Sequence, residues 1–152
     1  MPEASRSDEL DAMRQSAYSP GDSSSLRELR AEGRKTARER ISELLDPNSF
    51  VEVDAFVQHR AGDHNMHLHR PLGDGVVAGH GMIDGRRVVC FAQDYSVFSG
   101  SMGEMHAKKV AKIAEFAEKS QLPLIGIWDG DGQRVEELSL IHISEPTRPE
   151  RI

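Results

Sequence analysis

The chain has 152 residues, of which 38% are hydrophobic and 29% charged, an ordinary composition for one soluble domain with a packed core. Its formal net charge of -6 argues against a nucleic-acid-binding protein, which would need a basic face. The single cysteine cannot form an internal disulfide, the N-terminus lacks the apolar core of a signal peptide, and no run approaches the roughly 20 apolar residues of a membrane span. We therefore expect a soluble, cytoplasmic protein that binds neither nucleic acid nor membrane.

The N-terminal part of the chain predicts a polar leader followed by short helices. Residues 1–24 are rich in Ser, Asp, Glu and Pro without hydrophobic periodicity, so we expect them to be disordered or loosely docked. Helical spacing appears around Leu26 and Leu29, and a second helix begins at Thr36, whose spacing to Glu39 is that of a capping box. Alternating charges favour a solvated helix face over a docking surface for a partner or phosphate. The basic residues concerned are Arg30, Arg34, Lys35, Arg38 and Arg40.

The middle of the chain predicts a strand, a polar loop and a hairpin. Phe50–Val57 alternates apolar and acidic residues, as half-buried strands do. The loop that follows contains three histidines within six residues, but it has no cysteine and no evident third ligand held in place, so we predict solvent-exposed histidines and no metal site. These are His64, His67 and His69. Asp84-Gly85 between two apolar runs predicts a tight hairpin turn, and Cys90 in its second strand is interpreted as a small buried hydrophobe.

The stretch from Phe91 to Arg134 predicts a β-α-β unit with a glycine loop after each strand. Its helix, Glu104–Lys119, carries a stripe of small apolar residues, and Leu124–Trp128 is predicted to be a buried parallel strand. The loop before the helix is a candidate anion site at a helix N-terminus. The turn from Asp129 to Gly132 leaves backbone N–H groups at a strand's carboxyl end, as in enzymes that hold an oxyanion.

The last residues differ in character from the rest of the chain. Leu138–Arg148, which reads LSLIHISEPTR, resembles the conceptual translation of a sequencing-library adapter read through in frame. Its apolar pattern alone would predict a strand. We expect residues 138–152 to be a non-native tail, so that the natural sequence departs from this one near Glu137 and continues elsewhere.

Residues 25–137 resemble the N-terminal part of the β subunit of biotin-dependent acyl-CoA carboxylases, the carboxyltransferase shared by propionyl-CoA, acetyl-CoA and methylcrotonyl-CoA carboxylases. The resemblance rests on three blocks in the family's order: GRKTARERISELLDPNSFVEVDAFV, RPLGDGVVAGHGMIDGRRVVCFAQDYSVFSGSMGEMHAKKVAKI and LPLIGIWDGDGQRVEE. It implies an α/β fold of the crotonase-like (ClpP/crotonase) type, built from stacked β-β-α units and present here as an incomplete N-terminal half.

The resemblance also implies a function and a site. The family moves a carboxyl group from carboxybiotin to the α-carbon of an acyl-CoA, and its N-terminal half binds the acyl-CoA. The backbone N–H groups of Asp131 and Gly132 would form the oxyanion hole. The family's usual Asp-Ser-Gly-Gly-Ala-Arg reads Asp-Gly-Asp-Gly-Gln-Arg from Asp129 to Arg134 here, so Asp131 replaces the first glycine of the pair. The residues expected to line the CoA side are Gly100, Ser101, Met102 and Gly103.

The implied partners are a biotin carboxylase and biotin carrier α subunit, which would carry the biotin covalently, and further copies of the chain, since the full-length family forms hexamers. The fragment alone is expected to be inactive. Asp94 and Arg134 are interpreted as structural, as a strand-end carboxylate and a residue at a helix N-terminus. Two other interpretations stay open: a biotin-dependent acyl-CoA decarboxylase that uses the same fold with a sodium-pumping partner, and a truncated, non-catalytic CoA-binding module.

Overall fold

The structure, a computed structural model, describes residues 5–137. Within them, four strands form one sheet in the order β1-β2-β3-β4, and helices lie against it. The strands are β1 (Val51–Val53), β2 (Val76–Ile83), β3 (Arg86–Gln93) and β4 (Leu124–Ile127). The α-helices are α1 (Arg6–Tyr18), α2 (Ser23–Ala31), α3 (Ala37–Leu44) and α4 (Glu104–Ser120). Short 3-10 turns occur at Asp63–Leu68, Phe98–Gly100 and Val135–Glu137.

The long hairpin of β2 and β3 forms the centre of the sheet. Its strands pair antiparallel and are joined by Asp84-Gly85, so the predicted hairpin is confirmed. β4 pairs in parallel with β3 after the crossover through α4, which confirms the predicted β-α-β unit. The prediction that this last strand is buried is wrong for the described residues, because Leu124 is 41% and Trp128 62% exposed. The reason is that β4 lies at the edge of the sheet, where no further strand among residues 5–137 covers it.

Alternating residues of the hairpin bury the two faces of the sheet against different helices. On one face, Val77 and Cys90 pack against Ile41 of α3. On the other, Val76 and Phe91 pack with residues of α4. This is the period-2 side-chain alternation of a strand covered on both sides. Cys90 is fully buried, as predicted, and burial raises the pKa of its thiol to about 11.

The N-terminal segment differs from the expected disorder over residues 5–24. Ser5 caps α1 with a reciprocal capping box to Asp8, and the Asp22 side chain accepts from the Ser25 N–H at the start of α2. The serine-rich composition that predicted disorder therefore supplies helix caps. Of the residues in α1, only Ala17 is buried, so this helix lies at the protein surface, outside the packed core.

The predicted cap of α3 is confirmed, because Thr36 and Glu39 form the reciprocal capping box. The prediction of a solvated basic face is wrong for part of this stretch. Arg38 is 15% exposed at its side chain and pairs with Glu52 of β1 at 2.7 Å. Strand β1 itself is shorter than the predicted Phe50–Val57, because Asp54 takes a φ of 58° that ends the extended backbone.

The remaining sequence predictions concern loops, membranes and the tail. The three histidines of the polar loop are exposed to solvent, as predicted. No group of three or more His, Cys, Asp or Glu side chains in residues 5–137 is placed to share a metal ion. No helix in the described part of the chain is long and apolar enough to span a bilayer. Residues 138–152, the expected non-native tail, lie outside the described residues.

Candidate functional site

The two glycine loops predicted from the sequence meet at the carboxyl ends of β3 and β4. The Met102 N–H, in the loop before α4, donates to the Gly132 carbonyl at 2.7 Å. The Arg134 N–H in turn donates to the Met102 carbonyl at 2.9 Å, so the loops pair like a short parallel ladder. Ligands of parallel sheets bind outside the carboxyl ends of the strands, and this is the edge where the loops lie.

The loops approach each other so closely that glycine is required at their contact. A Cβ added to Gly130 would overlap the Gly100 carbonyl oxygen and lie 2.8 Å from the carbonyl carbon of the same residue. A Cβ on Gly100 would in turn overlap the Asp129 carbonyl oxygen. Side chains at either position would force the two backbones apart. Gly100 and Gly130 therefore set the distance between the two loops, in addition to the role of the second loop in ending β4.

A cleft of about 300 Å³ opens where the loops meet. Its lining residues are Gln93, Met102, Trp128, Gly130, Gly132 and Gln133. The Trp128 ring stands edge-on to Phe91 at a centroid distance of 5.0 Å, so the core of the sheet supports the apolar wall of the cleft. Of the four residues expected to line the CoA side, only Met102 reaches this cleft.

The two expected oxyanion donors differ in their hydrogen bonding. The Asp131 N–H donates to the Ser99 carbonyl at 3.1 Å, and its carboxylate accepts from the Tyr95 hydroxyl at 3.2 Å. The N–H of Gly132 has no acceptor among residues 5–137. Gly132 has a φ of +96°, in the left-handed region that favours glycine, and it lines the cleft. Of the two expected donors, the Gly132 N–H is therefore the one that no acceptor among the described residues occupies, so it can donate to a ligand.

At the expected anion site, the N-terminus of α4, one of the protein's own carboxylates already accepts a first-turn N–H. The first-turn N–H of His106 donates to Asp74 Oδ2 at 3.0 Å. A Cβ on the N-cap residue Gly103 would lie 2.5 Å from Glu137 Oε2. The Ser101 N–H and hydroxyl both donate to the Phe98 carbonyl, at 3.0 and 2.6 Å. The positive end of the helix dipole therefore acts on internal acidic groups.

A buried ionic cluster lies behind the loops, and sequence reasoning found only one of its members. Arg134 Nη1 donates to Asp74 Oδ1 and to Glu137 Oε2, each at 2.6 Å. Its Nη2 donates to the Ser101 carbonyl at 3.1 Å, which ties the cluster to the loop before α4. All three side chains are at most 1% exposed. Burial raises the pKa of the Asp74 carboxyl, although the Arg134 charge opposes this. Arg134 thus has the structural role that the sequence suggested.

Asp94 also has a local structural role. It is 3% exposed and accepts from the N–H and the hydroxyl of Ser96, at 3.0 and 2.7 Å. Burial raises the pKa of its carboxyl, and the two hydrogen bonds oppose that rise. This Asx-type turn directs the chain from the end of β3 towards the loop before α4.

Two basic residues expected to face solvent hold the start of the glycine turn, residues 129–132. Arg34 pairs with Asp129 Oδ1, and Arg40 Nη2 lies 3.1 Å from Asp129 Oδ2. The Arg40 contact is not aligned as a hydrogen bond, so it acts mainly through charge. The Arg34 guanidinium also stacks 3.7 Å from the centroid of the Tyr95 ring. The predicted solvated face is therefore wrong for these two arginines, whose acidic partner is distant in sequence.

A chain of hydrogen bonds connects the glycine turn to the interior. The Asp129 N–H donates to Gln93 Oε1 at 2.9 Å, and Gln93 Nε2 lies 3.3 Å from His106 Nε2. His106 Nδ1 lies 3.1 Å from the Asp74 carbonyl oxygen. Burial, together with the Arg134 and Lys109 charges, lowers the pKa of His106 to about 4. The imidazole is therefore neutral at neutral pH.

Comparison with known proteins places this chain in a family. The carboxyl transferase domain family matches residues 28–142. The biotin-dependent acetyl-/propionyl-coenzyme A carboxylase beta5 subunit of Mycobacterium tuberculosis (strain ATCC 25618 / H37Rv) is 49% identical over 129 residues, which are 85% of this chain and 24% of that protein. The methylmalonyl-CoA decarboxylase subunit alpha of Veillonella parvula is 50% identical over 107 residues, 70% of this chain and 21% of that protein.

Solved structures agree with these relatives. Transcarboxylase 12S, with methylmalonyl-coenzyme A and methylmalonic acid bound, superposes with a TM-score of 0.85 at 36% identity, covering 91% of this chain and 28% of that one. Such neighbours are carboxyltransferases of the crotonase-like fold, so the fold that the resemblance implied is confirmed. This chain spans 24% of the length of the first of these curated relatives. From the extent of the match, the chain belongs to the carboxyl transferase domain family.

Proposed function

We propose that this chain is the N-terminal, acyl-CoA-binding part of an enzyme that moves a carboxyl group from carboxybiotin to the α-carbon of an acyl-CoA. The observation that carries the proposal is the cleft at the carboxyl ends of β3 and β4, where the Gly132 N–H has no acceptor among the described residues, in a chain of the carboxyl transferase family. A biotin carrier and biotin carboxylase subunit, a homo-oligomer of the full-length chain and a cytoplasmic location belong to the same proposal.

The chemistry assigned to this chain is electrostatic. Carboxybiotin, when bound, supplies the CO₂ and the base that takes the α-proton of the thioester. The Gly132 N–H donates to the thioester oxygen, and that hydrogen bond strengthens as negative charge grows on the oxygen in the enolate. Because the donor is held by the paired loops, it needs no reorganisation during the reaction. Trp128 and Met102 line the apolar part of the cleft.

The second expected donor needs a local change. The Asp131 N–H serves as an oxyanion donor when it exchanges the Ser99 carbonyl for the thioester oxygen. The CoA portion lies on the side of the loop from Gly100 to Gly103, with Met102 as its contact in the cleft. The N-terminus of α4 is not assigned to a phosphate, because its His106 N–H already donates to the buried Asp74 carboxylate.

One observation favours a second candidate, which is decarboxylation. The Veillonella relative, named a methylmalonyl-CoA decarboxylase subunit, has an identity to this chain similar to that of the Mycobacterium carboxylase subunit, 50% against 49%, over a shorter match of 107 residues against 129. The same oxyanion donor would stabilise the enolate in either direction, so residues 5–137 do not select between them. Assays of the full-length enzyme in both directions, with propionyl-CoA and with methylmalonyl-CoA, decide which direction it catalyses.

Two experiments test the proposed function. The full-length enzyme that carries this segment is expected to transfer a carboxyl group from a carboxylated biotin carrier to propionyl-CoA, whereas the 152-residue chain alone is expected to be inactive. The chain alone should still be stabilised by an acyl-CoA, by about 2.7 kcal/mol at 100 times the dissociation constant. A full-length enzyme that transfers no carboxyl group in either direction would refute the proposal. Stabilisation of the chain without any such activity would identify the non-catalytic binding module.

The role of the Gly132 N–H is tested by replacing the amide with an ester. Proline is unsuitable, because its φ near −65° is incompatible with the +96° of Gly132. Glycolic acid, introduced at position 132 by stop-codon suppression, removes the N–H and keeps the glycine geometry. We expect turnover to fall roughly 10²–10³-fold, the scale of losing one oxyanion donor. The same ester at Gly62, which lies on the surface loop, is the control. Turnover equal to that of the control would exclude Gly132 as a donor.

A further inference from the structure

We propose that Gln93 is a positioning residue for the glycine turn and that His106 fixes its orientation. The proposal deepens the proposed function and rests on it, because the turn that Gln93 holds is the one assigned to the thioester oxygen. Gln93 lines the cleft, but its amide is bonded to the turn and to His106, so neither side chain is assigned a contact with the substrate's reacting atoms. Both act through the backbone amide of Asp129.

Gln93 continues the strand pairing past the point where the backbone ladder stops. The parallel pairing of β3 with β4 ends at Ala92 and Ile127. Beyond it, Gln93 Oε1 accepts the N–H of Asp129, the first residue of the turn, at 2.9 Å. A Cβ on the next residue, Gly130, would lie 2.9 Å from the same oxygen, so the turn also packs directly on the amide. The Gln93 side chain, 5% exposed, therefore sets how far the turn stands from the sheet.

His106 determines which way the Gln93 amide faces. Its Nδ1 contacts the Asp74 carbonyl oxygen, which only accepts, so Nδ1 carries the proton. The other nitrogen of the neutral ring, Nε2, must then accept, and Gln93 Nε2 is the donor at 3.3 Å. If the Gln93 amide rotated by half a turn, an oxygen would face the lone pair of His106 and an NH₂ group would face the Asp129 N–H. Both hydrogen bonds would be lost and their buried donors and acceptors left without partners. The free-energy cost of that loss keeps the amide in the observed orientation.

The test compares the full-length enzyme with Gln93→Met, His106→Phe and the double variant. Methionine matches glutamine in length and removes the acceptor. We expect Gln93→Met to lower kcat roughly 10–100-fold, because small misplacements of aligned groups have losses of this scale. The KM for propionyl-CoA should stay within about twofold of the parent enzyme's value, since the variant loses stabilisation of the transition state and not of the bound substrate. His106→Phe should lower kcat in the same direction. The double variant should lose no more than Gln93→Met, because His106 acts through Gln93.

Ser96→Ala is the matched control for the loss of a buried hydrogen bond. The Ser96 hydroxyl donates to Asp94 at 2.7 Å and, among residues 5–137, forms no hydrogen bond with Gln93 or with the turn. This variant should lose stability and keep the kcat of the parent enzyme. Parent-level kcat in Gln93→Met, or additive losses in the double variant, would overturn the positioning role. A parent enzyme without carboxyl transfer would overturn the proposed function instead.

Amide hydrogen exchange tests the positioning geometry without depending on activity. In the 152-residue chain, the Asp129 amide should exchange at least about 10²-fold more slowly than the Gly132 amide, which has no acceptor among residues 5–137. His106→Phe should abolish most of that difference. Equal exchange of the two amides in the parent chain would overturn the proposal, whatever the behaviour of the variants.

Discussion

Replacing Gly130 with alanine should separate the two glycine loops. The added Cβ would overlap the Gly100 carbonyl oxygen and lie 2.9 Å from Gln93 Oε1. The Gly100 obstacle is backbone, so the loops have to move apart, and overpacking of this kind costs about 1–3 kcal/mol. Unfolding of the 152-residue chain in urea and by heat, followed by circular dichroism, measures the loss. A change of 1 kcal/mol moves Tm by about 2–4 °C at this size, so we expect Tm to fall by roughly 2–12 °C.

Two further glycines separate the causes of that loss. A Cβ on Gly62 meets nothing within 4 Å, and its φ of -110° suits any residue, so Gly62→Ala should change the free energy of unfolding by less than about 0.5 kcal/mol. A Cβ on Gly132 also meets nothing within 4 Å, but its φ is +96°, so Gly132→Ala should cost about 1–2 kcal/mol from backbone strain alone. If Gly130→Ala unfolded like Gly62→Ala, the close contact of the loops would be refuted.

Three other predictions follow from the buried cluster, the histidine and the tail. Arg134→Met leaves the carboxylates of Asp74 and Glu137 buried without their cation, so urea unfolding should show a loss of about 3–5 kcal/mol. His106 has a pKa lowered to about 4, so the unfolded chain binds more protons than the folded one between that pH and about 6.5. Its stabilising contribution should be complete above this window and fall with decreasing pH by at most about 1.4 kcal/mol per pH unit, a slope that His106→Phe removes. Sequencing of the genomic locus without ligated adapters should show no codons for Leu138–Ile152.

Each of these predictions has a contrary outcome. Lys119→Met is the control for the buried cluster, because the exposed pair of Lys119 and Glu115 contributes little, and an equal loss in Arg134→Met would contradict the cluster's importance. A pH dependence unchanged in His106→Phe would show that another group titrates in that window. A continuous genomic reading frame through LSLIHISEPTR would show that the tail is native.

Elements set by local chemistry could be predicted from the sequence. The capping box at Thr36, the Asp84-Gly85 hairpin and the helix after Gly103 depend on dihedral preferences and hydrogen bonds within a few residues. The same local rules failed for the N-terminal serines, because Ser, Asp and Glu favour both disordered segments and helix caps. The three sequence blocks between Gly33 and Glu137 also predicted the family and its fold correctly, since their order and spacing are specific to that family.

The sequence by itself determined the two glycine loops, their place after β3 and β4, and Gly132 as a candidate donor. Only the tertiary structure showed that the Asp131 N–H already donates to Ser99 and that Arg34, before α3, and Arg40, within it, hold Asp129. It alone placed Gln93 under the turn, 36 residues from its partner. The physical reason is that the residues adjacent to a polar side chain in the sequence do not indicate which distant residue it will bond. The pairing is decided where strand ends and helix starts meet, and that position depends on how the hydrophobic faces of the whole sheet pack.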